Sequence, residues 1–139
     1  MVEDRPVGLT QDAGWQIGVQ RTVRVPLDEV WRYLTSPAGL DQWVGEGAQL
    51  GDAQGTLYQA RDGTRGELRS RRHHDRIRIT WQPDTWDHDS TVQVAVRTTP
   101  TGTALRFHHE RLVSAEERVL MRRRWEEVAL TIKDELEQR

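Results

Sequence analysis

The chain has 139 residues, enough for one domain around one hydrophobic core. It contains no cysteine, which excludes disulfides and thiol nucleophiles, and its formal net charge of −2 argues against a general nucleic-acid-binding protein. The sequence shows neither an apolar run of membrane-helix length nor the apolar segment of a signal peptide, so we expect a cytoplasmic protein without membrane association. Apolar residues make up only 35% of the chain, but six tryptophans can each bury a large area.

The first regular element is predicted at Trp15. Residues 1–14 mix charged residues with proline and glycine, and we expect them to form a loose lead-in to a single domain spanning residues 15–139. From Trp15 to Val25, apolar side chains occupy alternate positions, which predicts a strand with one buried face. Arg21 interrupts that face. Because a guanidinium in a dry core is costly, it needs an acidic partner, solvent or a ligand.

Two short helices are predicted after this strand. Pro26 suits the first turn of the first helix, and apolar residues then follow at the spacing of one helical face: Leu27, Val30, Trp31 and Leu34. Ser36 can cap the second helix, with Pro37 in its first position. Because each helix has a single apolar face, both need a sheet to pack against.

The rest of the chain predicts five strands and one long helix. Alternating apolar positions and turn residues place the strands at residues 56–60, 66–72, 77–81, 91–97 and 103–109. The helix begins at Ser114, whose hydroxyl can accept the N–H of Glu117 while the Glu117 carboxylate returns to the N–H of Ser114. About six turns follow, with an apolar stripe made of Met121, Trp125, Val128, Ile132 and Leu136.

Residues 25–44, VPLDEVWRYLTSPAGLDQWV, resemble the opening of the START-like superfamily, also called SRPBCC. Within it they resemble the branch related to the activator of the heat-shock chaperone ATPase. The similarity extends over roughly residues 15–137 through later segments: 66–68, 77–81, 103–107 and the helix around Trp125. It implies an α+β helix-grip fold, a curved antiparallel sheet of six to seven strands wrapped around a long C-terminal helix, with two short helices after the first strand. Since this fold hosts binding proteins, cyclases and co-chaperones, it does not decide the function.

The resemblance also implies a ligand cavity between the concave sheet face and the long helix. Carried over residue by residue, the sheet side would be lined by Tyr58, Leu68, Ile79, Trp81, Val94, Leu105 and Phe107. The helix side would be lined by Trp125, Ala129 and Ile132, with Trp43 near the mouth. The same large side chains could instead simply fill the core. The family often has glycine before the helix tryptophan, whereas this chain has Arg124, which could narrow an entrance or occupy it.

Other candidate sites are less well supported. The pairs His73-His74 and His108-His109 suggest a metal, but neighbours on a strand point to opposite faces, so neither pair forms a site and we predict no metal or cofactor. Three arginines alternate with apolar positions and are expected on the solvated face of the sheet: Arg69, Arg71 and Arg78. Nucleophile motifs and phosphate-binding glycine loops are absent from the sequence, so no catalytic residue is predicted.

Binding of a small apolar, aromatic or amphipathic ligand in the cavity is the leading hypothesis. Arg21 and His109 lie on the apolar faces of the first and last strands, and they would form its polar end, selecting a carboxylate, phenol or carbonyl. Alternatively, Arg21 pairs with an acid such as Glu110 or reaches solvent, and His109 is structural. Two rival functions stay open. One is interaction with a chaperone through the outer sheet face, and the other is a cyclase- or hydrolase-like reaction using His109 or Arg21.

Overall fold

A computed structural model of the chain describes residues 9–10 and 14–139. In these residues the elements are β1 Leu9–Thr10, β2 Gly14–Val23, α1 Leu27–Thr35, α2 Pro37–Trp43, β3 Leu57–Gln59, β4 Arg65–Arg72, β5 Arg76–Trp81, β6 Ser90–Thr99, β7 Gly102–Leu112 and α3 Ala115–Glu137. The strands form one antiparallel sheet in the order β1-β2-β7-β6-β5-β4-β3. The predicted α+β helix-grip fold is therefore confirmed, with the first long strand beside the last.

The start of the domain lies partly outside the described residues, because residues 1–8 and 11–13 are not among them. Leu9 and Thr10 pair with Trp15 and Gly14 as a short edge strand. The loose lead-in over residues 1–14 and the boundary at residue 15 stay predictions.

The two short helices form where their capping residues predict. The hydroxyl of Ser36 accepts the N–H of Gly39 at 3.1 Å, and Pro37 takes the first position of α2. A side chain at position 39 would lie 1.8 Å from the carbonyl oxygen of Tyr33, so a glycine is needed where the two helices meet. Together α1 and α2 carry the chain from β2 to β3, at the opposite edge of the sheet.

The long helix α3 also begins at its predicted cap. The Ser114 hydroxyl accepts the N–H of Glu117 at 3.1 Å, as expected. The Glu117 carboxylate, however, accepts the N–H of Val113 at 3.2 Å rather than that of Ser114, so the second half of the predicted capping box is shifted by one residue. The helix packs against β2, β7 and α2 and buries five side chains: Trp125, Val128, Ala129, Ile132 and Leu136.

A β-bulge in β4 changes the face on which Arg71 lies. Leu68 pairs with Ile79, but the next pair is Ser70 with Arg78, so one strand has gained a residue. Arg71 therefore sits opposite Ile77 and shares its inward side, where it donates to the carbonyl of Gly51 at 3.2 Å. Placing Arg71 on the solvated face was wrong, because a shift of one residue moves every following side chain to the other face.

Candidate functional site

The space between sheet and helix is filled by a cluster of aromatic rings. Trp125 lies at its centre with 0% of its surface exposed, and the Phe107 ring stacks on it with 4.9 Å between centroids. Trp81 and His109 are 6.2 and 5.8 Å from the Trp125 ring. Trp43 extends the cluster to 6.4 Å from Phe107. We call the set Trp43, Trp81, Phe107, His109 and Trp125 the ring cluster.

The fold brings the predicted lining residues together, with one exception. All but Arg21 are buried between the sheet and the helices: Trp43, Tyr58, Leu68, Ile79, Trp81, Val94, Leu105, Phe107, His109, Trp125, Ala129 and Ile132. In the structure they pack as a core. Tyr58 donates to the carbonyl of Thr80 at 2.6 Å, and burial raises its pKa. It also borders a surface groove of about 540 Å³ between β3, β4 and β5.

Arg21 is the predicted site residue that the structure moves elsewhere. It pairs with Leu105 in the sheet, whereas His109 pairs with Ile17. Its side chain is exposed, donates to the carbonyl of Gln20 at 2.8 Å and borders a surface groove beside the polar side of α3. The prediction that Arg21 and His109 jointly form a polar end was therefore wrong. The long arginine side chain reaches solvent past the helix, where its charge keeps its hydration.

His109 is the buried polar centre of the ring cluster. The Trp125 indole Nε1–H donates to His109 Nδ1 at 3.0 Å, so His109 Nε2 carries the proton and donates to the Ser90 hydroxyl at 2.8 Å. Ser90 in turn donates to the carbonyl of Trp81 at 2.6 Å. Burial, assisted by the positive charge of Arg124, lowers the pKa of His109 to about 3. His109 is therefore neutral at physiological pH, and both ring nitrogens are occupied.

Arg124 lies over the ring cluster. Its guanidinium carbon is 4.9 Å from the centroid of Trp81 and 5.0 Å from that of Trp125, both within cation–π range. Its Nη2 donates to the carbonyl of Trp43 at 3.5 Å, and its buried Nε has no hydrogen-bond partner among the described residues. Burial lowers the pKa of Arg124, and the negative charge of Asp62 opposes that effect.

The loop of residues 82–89 places the partly buried ring of Trp86 over the ring cluster. Trp86 stands edge-on to Trp81 with 5.5 Å between centroids and lies parallel to His109 at 6.1 Å. His88 stacks on Trp86 at 4.7 Å, and its Nε2 lies 3.0 Å from a carboxylate oxygen of Glu117 at the start of α3. We call Trp86 and Arg124 together the cover. The sequence signal for this role of Trp86 is a single tryptophan in an otherwise polar loop.

The histidine pairs behave differently from each other. His108 and His109 point to opposite faces of β7, as predicted, and His108 Nε2 lies 2.9 Å from the side-chain oxygen of Gln16. His73 and His74 lie in a turn instead of a strand, and their rings stack with 3.8 Å between centroids. Within residues 9–10 and 14–139, no three histidine, aspartate or glutamate side chains are grouped so that they could hold a metal ion. In the same residues, no helix is both long and apolar enough to cross a membrane.

Comparison with known proteins supports the fold. The family model described as activator of Hsp90 ATPase homolog 1-like protein matches residues 24–137, and no curated protein matches the chain. A solved structure from Mesorhizobium loti is 21% identical, with a TM-score of 0.71 over 88% of this chain and 97% of that one. CalU16 from Micromonospora echinospora is 22% identical, with a TM-score of 0.73 over 85% of this chain and 71% of that one. The Aha1 dimer from Colwellia psychrerythraea is 16% identical, with a TM-score of 0.74 over 88% of this chain and 96% of that one.

Proposed function

Since this chain belongs to the family of activator of Hsp90 ATPase homolog 1-like proteins, we propose that it binds a small apolar or aromatic ligand between its sheet and its long helix. The observation that carries the proposal is the cover. Trp81 and Trp125 are 3% and 0% exposed, and the partly exposed side chains of Trp86 and Arg124 lie directly over them. The Trp86 loop has mostly irregular structure, so the ring can move without breaking a strand of the sheet.

A ligand ring can replace the Trp86 ring at little cost. When Trp86 moves outward, it uncovers the parts of Trp81 and His109 against which its ring packs. An incoming aromatic ring restores the same contacts, and aromatic pairs contribute about 0.5–1.5 kcal/mol beyond the area that they bury. A mostly apolar site with few polar groups is typical of small-molecule binding.

The test uses 2-naphthol as a neutral aromatic probe and follows the indole N–H signals of the protein by NMR. We expect the Trp81, Trp86 and Trp125 signals to shift together as the probe is added, because the probe displaces the Trp86 ring and takes its place beside Trp81, whose ring lies against Trp125. The variant Trp86→Ala should change the association rate, whereas Trp15→Ala, which removes a partly buried ring on β2, should leave it unchanged. Unchanged Trp81 and Trp125 signals at millimolar probe would refute the proposal.

A second candidate function is docking of an acidic protein surface, such as that of a chaperone, on the outer face of the sheet. One cross-strand row on that face contains Arg72, Arg76, Ala95, Arg106 and Gln20. Arg72 pairs with Asp75, but among the described residues neither Arg76 nor Arg106 has a carboxylate within the 4.0 Å limit of an ion pair. Positive charge without internal partners favours an acidic partner.

This second candidate is tested with the Hsp90-type chaperone of the same host by calorimetry at low and high salt. Binding should weaken with salt and should be lost when Arg76 and Arg106 are both replaced by glutamate. Arg123→Glu, on the exposed side of α3, makes the matched control. Binding that is insensitive to salt and to the double replacement would contradict the docking proposal.

The cyclase- or hydrolase-like alternative depended on His109 or Arg21. His109 is neutral with both nitrogens occupied, and Arg21 lies in solvent outside the ring cluster. Neither residue is placed to exchange a proton with a ligand bound between the sheet and the long helix, or to pair with its charge. The alternative therefore has no residue in its favour among those the sequence suggested.

A further inference from the structure

We infer that Arg124 is the ligand-recognition residue of the cover and that the ligand is an aromatic monoanion, with its carboxylate on Arg124 and its ring on the ring cluster. The inference rests on the proposed function and adds to it the chemical class of the ligand. Arg124 would then recognise the charge of the ligand, the role that the sequence predicts for Arg21 and His109.

The first observation is the unused hydrogen-bonding capacity of Arg124. A guanidinium has five N–H donors in one plane. Here the hydrogen bond of Nη2 to the carbonyl of Trp43 is long, at 3.5 Å, and the buried Nε has no partner among the described residues. A buried donor without a partner is costly, and an acceptor from a ligand would remove that cost.

The second observation concerns charge. Several arginines of this chain have a carboxylate in ion-pair range, for example Arg61 with Glu46 at 2.7 Å and Arg122 with Glu126 at 3.1 Å. Arg124 is more buried than either, yet no carboxylate of the described residues lies within the 4.0 Å limit, and Asp62 acts on it only from a greater distance. Buried charges are normally paired, so a ligand anion is the missing partner.

The third observation is orientation. Stacking against Trp81 and Trp125, at 4.9 and 5.0 Å, fixes the guanidinium beside the rings before any ligand arrives. A carboxylate matches this planar fork with two parallel hydrogen bonds. Because both nitrogens of His109 are occupied, Arg124 is the group left to recognise a polar substituent. The negative charge of Asp62 near the site favours one anionic charge on the ligand over two.

The experiment compares two probes of the same shape, 2-naphthoate and 2-naphthamide, by calorimetry with the full chain at pH 7.5. Hydrogen bonds to a charged group correspond to about a 10- to 100-fold gain in affinity, so the parent protein should bind naphthoate tighter than the amide by that factor. Arg124→Met and Arg124→Gln should abolish the preference. Arg124→Lys, which keeps the charge but loses the planar fork, should retain part of it. Arg123→Met removes the same charge from the exposed side of the helix and should keep the full preference.

The outcomes separate this inference from the proposed function. If the parent binds both probes equally, the anion inference is overturned and ligand binding between sheet and helix stands. If neither probe binds, both are overturned. A preference that falls equally in Arg123→Met and Arg124→Met would reflect net charge instead of contact, and it would also overturn the inference. Indole N–H spectra of each variant show whether the ring cluster is intact.

Discussion

The buried His109 makes the stability of the protein depend on pH in a predictable direction. Its ordinary pKa is 6.5, whereas burial and the charge of Arg124 lower it to about 3 in the folded protein. Between these two pH values, His109 is protonated in the unfolded chain but not in the folded protein. Its contribution to the free energy of unfolding is therefore fully present above pH 6.5 and is lost as the pH falls towards 3. One pKa unit corresponds to about 1.4 kcal/mol, so about 2 kcal/mol should be lost at pH 5.0 relative to neutral pH.

The assay is urea unfolding at pH 7.5 and 5.0 of the parent and of His109→Gln. Glutamine can accept from Trp125 and donate to Ser90 but does not titrate, so the variant should lose about 2 kcal/mol less than the parent between the two pH values. His73→Gln, in an exposed turn, is the control and should keep the dependence of the parent. Equal losses in the parent and in His109→Gln would refute the reasoning, and so would a His109 NMR signal that titrates between pH 7.5 and 5.0.

Three further predictions concern other parts of the chain. Trp125→Ala should lower the free energy of unfolding by about 3–5 kcal/mol, measured by urea unfolding, because a fully buried ring is removed; a loss below about 1 kcal/mol would contradict a packed core. Deleting residues 1–12 should leave the thermal unfolding temperature nearly unchanged, and loss of most of the stability would show that the boundary at residue 15 is misplaced. Burial by itself lowers the pKa of His88, but hydrogen bonds to the Asp89 carbonyl and the Glu117 carboxylate outweigh it and raise that pKa above 6.5. His88 should therefore stabilise the parent fully below pH 6.5, and this contribution should disappear as the pH rises through the raised value; an identical pH profile for His88→Gln would contradict this.

The fold was predictable because its signals are local. Alternating apolar positions marked β2, β5, β6 and β7, and Ser36 and Ser114 marked two helix starts that the structure confirms. The β4 bulge was not predictable, because one inserted residue leaves the composition of a strand unchanged while reversing the side on which Arg71 lies. Arg21 was misplaced for a similar reason. Alternating apolar positions identify which face of a strand points inward, but they do not show how much of that face a helix covers.

The candidate site was only half predictable. The residues of the ring cluster could be named, because each lies on the inward face of its own element. Their hydrogen bonds could not, since His109 is 19 residues from Ser90 and 16 from Trp125. Whether rings enclose a cavity or fill it depends on three elements packing at once, and no single segment carries that information. Of the two residues of the cover, only Arg124 was singled out by the sequence, as a large residue where the family often has glycine.

Glu117 joins the loop over the rings to the beginning of the long helix. One of its carboxylate oxygens receives the N–H of Val113, and the other lies 3.0 Å from Nε2 of His88, two residues after Trp86. Lifting the loop therefore removes one of the two partners that hold this carboxylate at the helix start. The position of the loop and the capping of α3 therefore share one carboxylate, so a change at position 117 would affect both at once.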